Sequence, residues 1–142
     1  MATELENIWA THLDGEFGSK DVEATLATMV EDASVNHMPT NTGGRGKSEL
    51  RAFYRDVFIP SWPDDLEMRM TNRVLGEGQL VDELHLGFTH SKQMDWFLPG
   101  VAPTGRRVEV DLVVVVQFEG DKLSCERIYW DQAEVLRAVG LA

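Results

Sequence analysis

The sequence predicts an α+β domain in which N-terminal helices pack on a strongly curved antiparallel sheet and enclose a pocket. Three observations carry this. Apolar residues recur at three- and four-residue steps before Pro60, and they alternate with polar ones after Leu66 in four runs separated by turn signals. The 142 residues suffice for one core and are too few for two ordinary domains, so the whole chain, 1–142, is read as a single domain.

From Leu5 to Phe17, the residues Leu5, Ile8, Trp9, His12, Leu13 and Phe17 form one helix face. After Gly18-Ser19, Asp21 can start a second helix whose Val22, Leu26, Met29 and Val30 lie on one stripe. Ser34 to Met38 reads as a short strand, stopped by Pro39 and Thr42-Gly43-Gly44. Lys47 opens a further helix carrying Leu50, Phe53, Tyr54, Val57 and Phe58, ended by Pro60 and Pro63. The period then becomes two, with strands expected at Leu66–Leu75, Gln79–His90, Arg107–Phe118 and Lys122–Trp130, joined as hairpins. A short amphipathic helix, Gln132 to Val139, stops at Gly140. Asp131 precedes it and reads more readily as its N-cap than as a catalytic group.

Thirteen Lys and Arg against 24 Asp and Glu leave a formal charge of −11. That balance repels nucleic-acid phosphates and anionic lipid, so small neutral or apolar molecules are the expected partners. Cys125 is the single cysteine, which excludes an intramolecular disulfide and any multi-cysteine metal site. The histidines His12, His37, His85 and His90 form no His-x-x-x-His pair, and no metal or cofactor is expected. Gly43-Gly44-Arg45-Gly46-Lys47-Ser48 lacks the spacing of a phosphate loop, because position 41 is Asn, and there is no Gly-x-Ser-x-Gly elbow. Glu4 and Glu6 stand where a secretory signal carries positive charge, and the longest strongly apolar stretch, Leu112–Val116, is far shorter than a membrane span. A cytoplasmic protein with no membrane partner is the expectation.

Three segments resemble the nuclear transport factor two-like superfamily in its polyketide cyclase (SnoaL-like) branch. They are Ser34-Val35-Asn36-His37-Met38-Pro39 before Gly44-Arg45-Gly46-Lys47, the loop Leu98–Gly105, and Ile128-Tyr129-Trp130-Asp131-Gln132 leading to Leu136–Gly140. The chain is similar also to limonene epoxide hydrolases. The resemblance implies a cone-shaped α+β barrel with a deep apolar pocket, no cofactor, and dimers formed through the outer sheet face. It also implies a pocket aspartate near the end of the last strand, where this chain has Ile128, so the chemistry has to come from other polar residues.

If Asn36 points inward, as the resemblance implies, alternation turns His37 away unless the strand is bulged near Pro39. Asn36 would then bind a substrate oxygen; otherwise it satisfies a turn. Val81, Glu83, His85 and Gly87 share one face, which similarity to the epoxide hydrolases turns to the pocket. The alternative is that Glu83 and His85 face solvent. His90 sits at the strand's end, where an imidazole with a pKa near 6.5 could serve as acid or base or simply lie at the surface. Trp96 and Phe97 read as a pocket rim or dimer contact. Glu126, Ile128 and Trp130 share a face, and Glu126 lies one pair deeper than Ile128, either as a buried acid or base or paired to Arg106 or Arg107.

These residues suggest a cofactor-free acid–base enzyme acting on a small apolar oxygenated molecule, such as a polyketide, lactone, enone or epoxide. It would work as a cyclase, isomerase or hydrolase. The expected catalytic set is Glu83 as base with His85, Asn36 as oxyanion donor, and His90 and Glu126 in reserve. His37, Trp9, Phe53, Met70, Trp96, Ile128 and Trp130 would line the pocket. The alternative is a non-catalytic ligand-binding or dimeric interaction module using the same pocket. Leu112–Val116 is apolar on both faces, which predicts a homodimer through the outer sheet face.

Overall fold

Helix α1 (Glu4–Leu13) starts where the hydroxyl of Thr3 accepts the Glu6 amide at 3.2 Å and the Glu6 carboxylate accepts the Thr3 amide at 3.0 Å. The computed structural model describes residues 3–142. One π turn, Asp14–Gly18, extends α1, and a second, Tyr54–Phe58, extends α3 (Lys47–Phe53). Both turns put side chains against the sheet, as π turns often do at functional sites. Helix α2 (Val22–Ala27) is shorter than its apolar stripe suggests. Met29 and Val30 leave it for β1 (Met29–His37), whose far end pairs in parallel with β6.

The other strands are β2 (Thr42–Arg45), β3 (Glu67–Gly76), β4 (Gln79–Thr89), β5 (Arg107–Glu119) and β6 (Lys122–Trp130). They form one curved, unclosed sheet in the order β2-β1-β6-β5-β4-β3. The four long strands match the expected hairpins, whereas β2 was expected only as loop. It exists because Gly43, at φ +142°, passes so close to β1 that a Cβ there would sit 1.9 Å from the Val35 carbonyl oxygen. Helix α4 (Gln132–Ala138) begins at Asp131, whose carboxylate accepts the Glu134 amide at 3.2 Å, as expected of an N-cap.

Two strands face the opposite way from the expectation. In β4 the inward set is Leu80, Asp82, Leu84 and Leu86, so Glu83 is exposed on the outer face with His85 beside it. In β1 Val35 and His37 point inward, and Asn36 lies half-buried on the outside. A one-residue change of parity reverses every side chain. The apolar set of β4 goes inside because burying its Leu side chains stabilises by roughly 2 kcal/mol each.

The charged member of that set, Asp82, is fully buried. Its carboxylate accepts the Trp9 indole N–H at 2.9 Å and two N–H bonds from Arg73 at 2.6 and 2.9 Å, and Arg73 also donates to Glu6 at 3.0 Å. This network clamps α1 to β3 and β4. Asp82→Asn removes the charge that makes these bonds strong and is expected to lower stability by about 2 kcal/mol, read by urea denaturation. Trp96 and Phe97, expected at a rim, are fully buried instead. Their loop packs into the core, where the Trp96 indole donates to Ser61 Oγ at 2.8 Å.

Candidate active site

Between α1, α3 and the inner sheet face lies a narrow, partly open cavity. Its walls are almost wholly apolar, with Trp9, Phe58, Trp62, Trp96, Leu112 and Ile128 among them. The polar groups gather at one place. His12 and Glu16, four residues apart across the end of α1, meet Glu126 of β6, and all three are buried. His12 Nε2 stands 2.6 Å from Glu16 Oε1 and 3.1 Å from Glu126 Oε2.

The other ring nitrogen determines the tautomer. The Thr28 hydroxyl donates its one hydrogen to the Thr25 carbonyl at 2.6 Å, so at 2.8 Å it accepts from His12 Nδ1–H. Nε2 therefore faces the carboxylates with either a lone pair or a proton. Burial alone would disfavour the imidazolium, but Glu16 and Glu126 outweigh it and lift the His12 pKa to about 10. Trp9 stacks on the charged ring at 5.4 Å and 13°.

Two carboxylates face this single cation. Burial raises the Glu16 pKa against the pull of His12, and the Glu126 charge pushes the same way. Glu16 is thereby held toward its neutral acid form. Tyr54 stands beside both carboxylates. Burial first, then their charges, raises its pKa far enough to keep the phenol protonated, and its O–H has no aligned partner among the described residues.

His37 is the histidine that lines the wall itself, His12 lying behind Glu16 and Glu126. Its Nδ1–H donates to the Thr42 carbonyl at 3.0 Å, which leaves Nε2 as an acceptor. Burial pushes its pKa down to about 4, so it is neutral where His12 is charged. The parallel pairing of β1 with β6 sets Val35 beside Glu126 and His37 beside Ile128, which orders the acceptor and the carboxylate along one wall.

A metal ion suits the trio less well than a proton. The ligand atoms lie within 4.8 Å of one another, but tetrahedral ligands about 2.1 Å from zinc are about 3.4 Å apart. His12 carries a proton that Glu16 and Glu126 stabilise by their charge, and neither Nε2 nor Glu126 Oε2 has an aligned hydrogen-bond partner among the described residues.

Of the residues expected from sequence, Glu126, Ile128, Trp9, Trp96 and His37 line the cavity, His37 contrary to the parity assigned to it. Phe53 and Trp130 are buried behind it: Phe53 packs on His37 at 5.6 Å, and the Trp130 indole donates to Gln132 at 2.6 Å. Glu83, His85 and Asn36 lie on the opposite face of the sheet, where His85 bonds Asp111 at 2.7 Å and Glu109 at 3.1 Å. Met70 is half exposed at the edge. His90 is fully buried but outside the wall. Its Nδ1 accepts the Thr104 amide at 3.2 Å, and burial lowers its pKa. Sequence reasoning missed Glu16 and Tyr54 and treated His12 only as part of a core stripe. The available signal was a His and a Glu four residues apart beside Trp9 and Leu13 on a core-facing helix.

The sequence profile of the SnoaL-like polyketide cyclase family matches residues 10–139. No curated protein matches the chain. Among solved structures, a protein provisionally assigned as a SnoaL-like polyketide cyclase from Jannaschia sp. CCS1 superposes with a TM-score of 0.80 at 18% identity, covering 98% of this chain and 93% of that one. TsrD from Streptomyces laurentii gives 0.73 at 16%, with 98% and 96% covered. A nuclear transport factor two-like protein of unknown function from Burkholderia pseudomallei gives 0.72 at 19%, with 98% and 99% covered. At these identities the structures share the fold.

Proposed function

The chain belongs to the SnoaL-like polyketide cyclase family, and from that premise we propose that it is a cofactor-free acid–base enzyme that enolises a small, apolar, oxygenated substrate for ring closure or isomerisation. The observation that supports this best is the buried His12–Glu16–Glu126 trio on an otherwise apolar cavity. Pairs of titratable groups driven toward different protonation states supply an acid and a base at one pH.

In this reading the Glu126 carboxylate removes a proton from the carbon next to a substrate carbonyl. The C–H electron pair becomes the enolate π bond, and charge moves onto the oxygen. Tyr54 donates its free O–H to that oxygen, Glu16 in its acid form returns a proton to carbon, and His12, which contacts both groups, then gives its Nε2 proton to Glu16 and takes up the one held by Glu126, restoring the starting state. His12 positions both carboxylates and balances their charge. His37 Nε2 accepts a hydrogen bond from a substrate hydroxyl. The surrounding rings exclude water, which strengthens each of these interactions.

Proton exchange tests the reading without knowledge of the natural substrate. The protein is incubated with 2-tetralone in D2O, and α-carbon deuterium is followed by NMR. Catalysed exchange supports it. Binding of 2-tetralone with no exchange above background would instead assign a ligand-binding module.

The same proposal includes a homodimer through the outer sheet face. Val113 and Val115 are half-buried there in a single chain, and Val74 and Tyr129, paired across from Val81 and Val113, remain 57% and 39% exposed. A second copy would cover this stripe. Sedimentation is expected to give about twice the 16.0 kDa chain mass, and Val113→Lys to give a folded monomer. A wild-type monomer at micromolar concentration would overturn it.

A further inference from the structure

Adjoining the cavity lies a second, partly open volume, which shares Glu16, Phe17, Trp62 and Met68 with it. It is the mouth. The charged groups at its rim are Lys20 and Asp64. Asp64 pairs with Lys92 at 3.4 Å, and the adjacent Asp65 takes the Thr89 amide at 3.0 Å and Arg107 at 3.5 Å. Lys20 is exposed and forms no ion pair among the described residues, although the chain carries eleven more acidic than basic residues. Its backbone is left-handed, with φ +55°, a conformation that Gly or Asn adopts more readily than Lys.

We propose that Lys20 is a specificity residue: it binds an anionic oxygen group, such as a carboxylate, on the tail of a substrate whose apolar body fills the cavity. This rests on the enolisation site described above and adds the substrate's charge and orientation. The buried cation His12 is already taken up by Glu16 and Glu126, whereas Lys20 at the rim is free to attract an anion. The substrate therefore enters with its neutral, carbonyl-bearing end first and leaves its anionic end at the mouth.

Titration calorimetry with 3-phenylpropanoate and its neutral isostere 3-phenylpropanamide tests the proposal. At low salt the acid is expected to bind about threefold more tightly than the amide, within the range of an exposed ion pair, and the preference shrinks at high salt. Lys20→Met should bring the ratio to about one, Lys20→Glu should reverse it, and Lys20→Arg should keep it. Equal binding of acid and amide by the wild type, or an unchanged ratio in Lys20→Met, would overturn the role of Lys20 and leave the cavity reading intact. Failure of both probes to bind would count against the cavity as well as the mouth.

Discussion

Glu126→Gln is expected to slow deuterium exchange into 2-tetralone by about 10²–10⁴-fold while the protein stays folded, the range lost when a positioned general base is removed. The amide keeps the size of the carboxylate and can still bond His12, so packing between β6 and α1 changes little, but it cannot take up a proton. Glu83→Gln, His85→Ala and Asn36→Ala serve as internal controls. All three positions lie on the outer face, and exchange by these variants should match the wild type. The reverse outcome, with Glu126→Gln fully active and Glu83→Gln inactive, would show that the working face of the sheet is the outer one.

The largest expected loss of stability comes from His12→Ala, about 3–5 kcal/mol, because it leaves two buried carboxylates with no cation between them. Its signature is in the pH dependence. The folded-state pKa of His12 is raised from 6.5 to about 10, so the folded chain holds a proton that the unfolded chain has released. That stabilisation is complete below pH 6.5 and declines as pH rises toward 10, at up to about 1.4 kcal/mol per pH unit. His37 acts in the opposite direction. Its folded pKa is depressed to about 4, so its contribution is present above pH 6.5 and is lost as pH falls toward 4. Urea denaturation across pH 4–10 should place maximum stability near pH 6.5. In His12→Ala the alkaline decline should flatten and the acid decline persist. Replacing His12, Glu16 and Glu126 together with Leu should recover most of the lost stability and abolish exchange, since an apolar trio has no charge to bury. An alkaline decline that His12→Ala leaves unchanged would mean that His12 is not the protonated member of the trio.

The signals legible in the chain were local ones. The change from a period of 3.6 to a period of 2 after Pro63 marked the helices and the four long strands, because each element buries one stripe or one face. Alternation within β6 placed Glu126, Ile128 and Trp130 together on the inner face. Asp131 was legible as a cap from its position before Gln132–Ala138. Strand β2 was not, since a four-residue strand built on Gly43 and Gly44 carries no apolar pattern of its own and exists only through β1.

Alternation sorts a strand's residues into two sets, but it does not say which set meets the core. In β4 similarity to the epoxide hydrolases turned Glu83 and His85 to the pocket, whereas the leucine set goes inside and takes a charged residue, Asp82, with it. The tertiary structure allows this by bringing Arg73 and the Trp9 indole to the carboxylate, partners distant in the chain. The site has the same origin. His12 was read only as part of a core stripe, Glu16 was not singled out, and Glu126 was left between a buried acid or base and a partner of Arg106 or Arg107, because no local pattern relates the end of α1 to the middle of β6. Only when the helix packs across the curved sheet do the three groups leave water together. Their protonation then follows from that shared burial, which no residue's own sequence neighbourhood specifies.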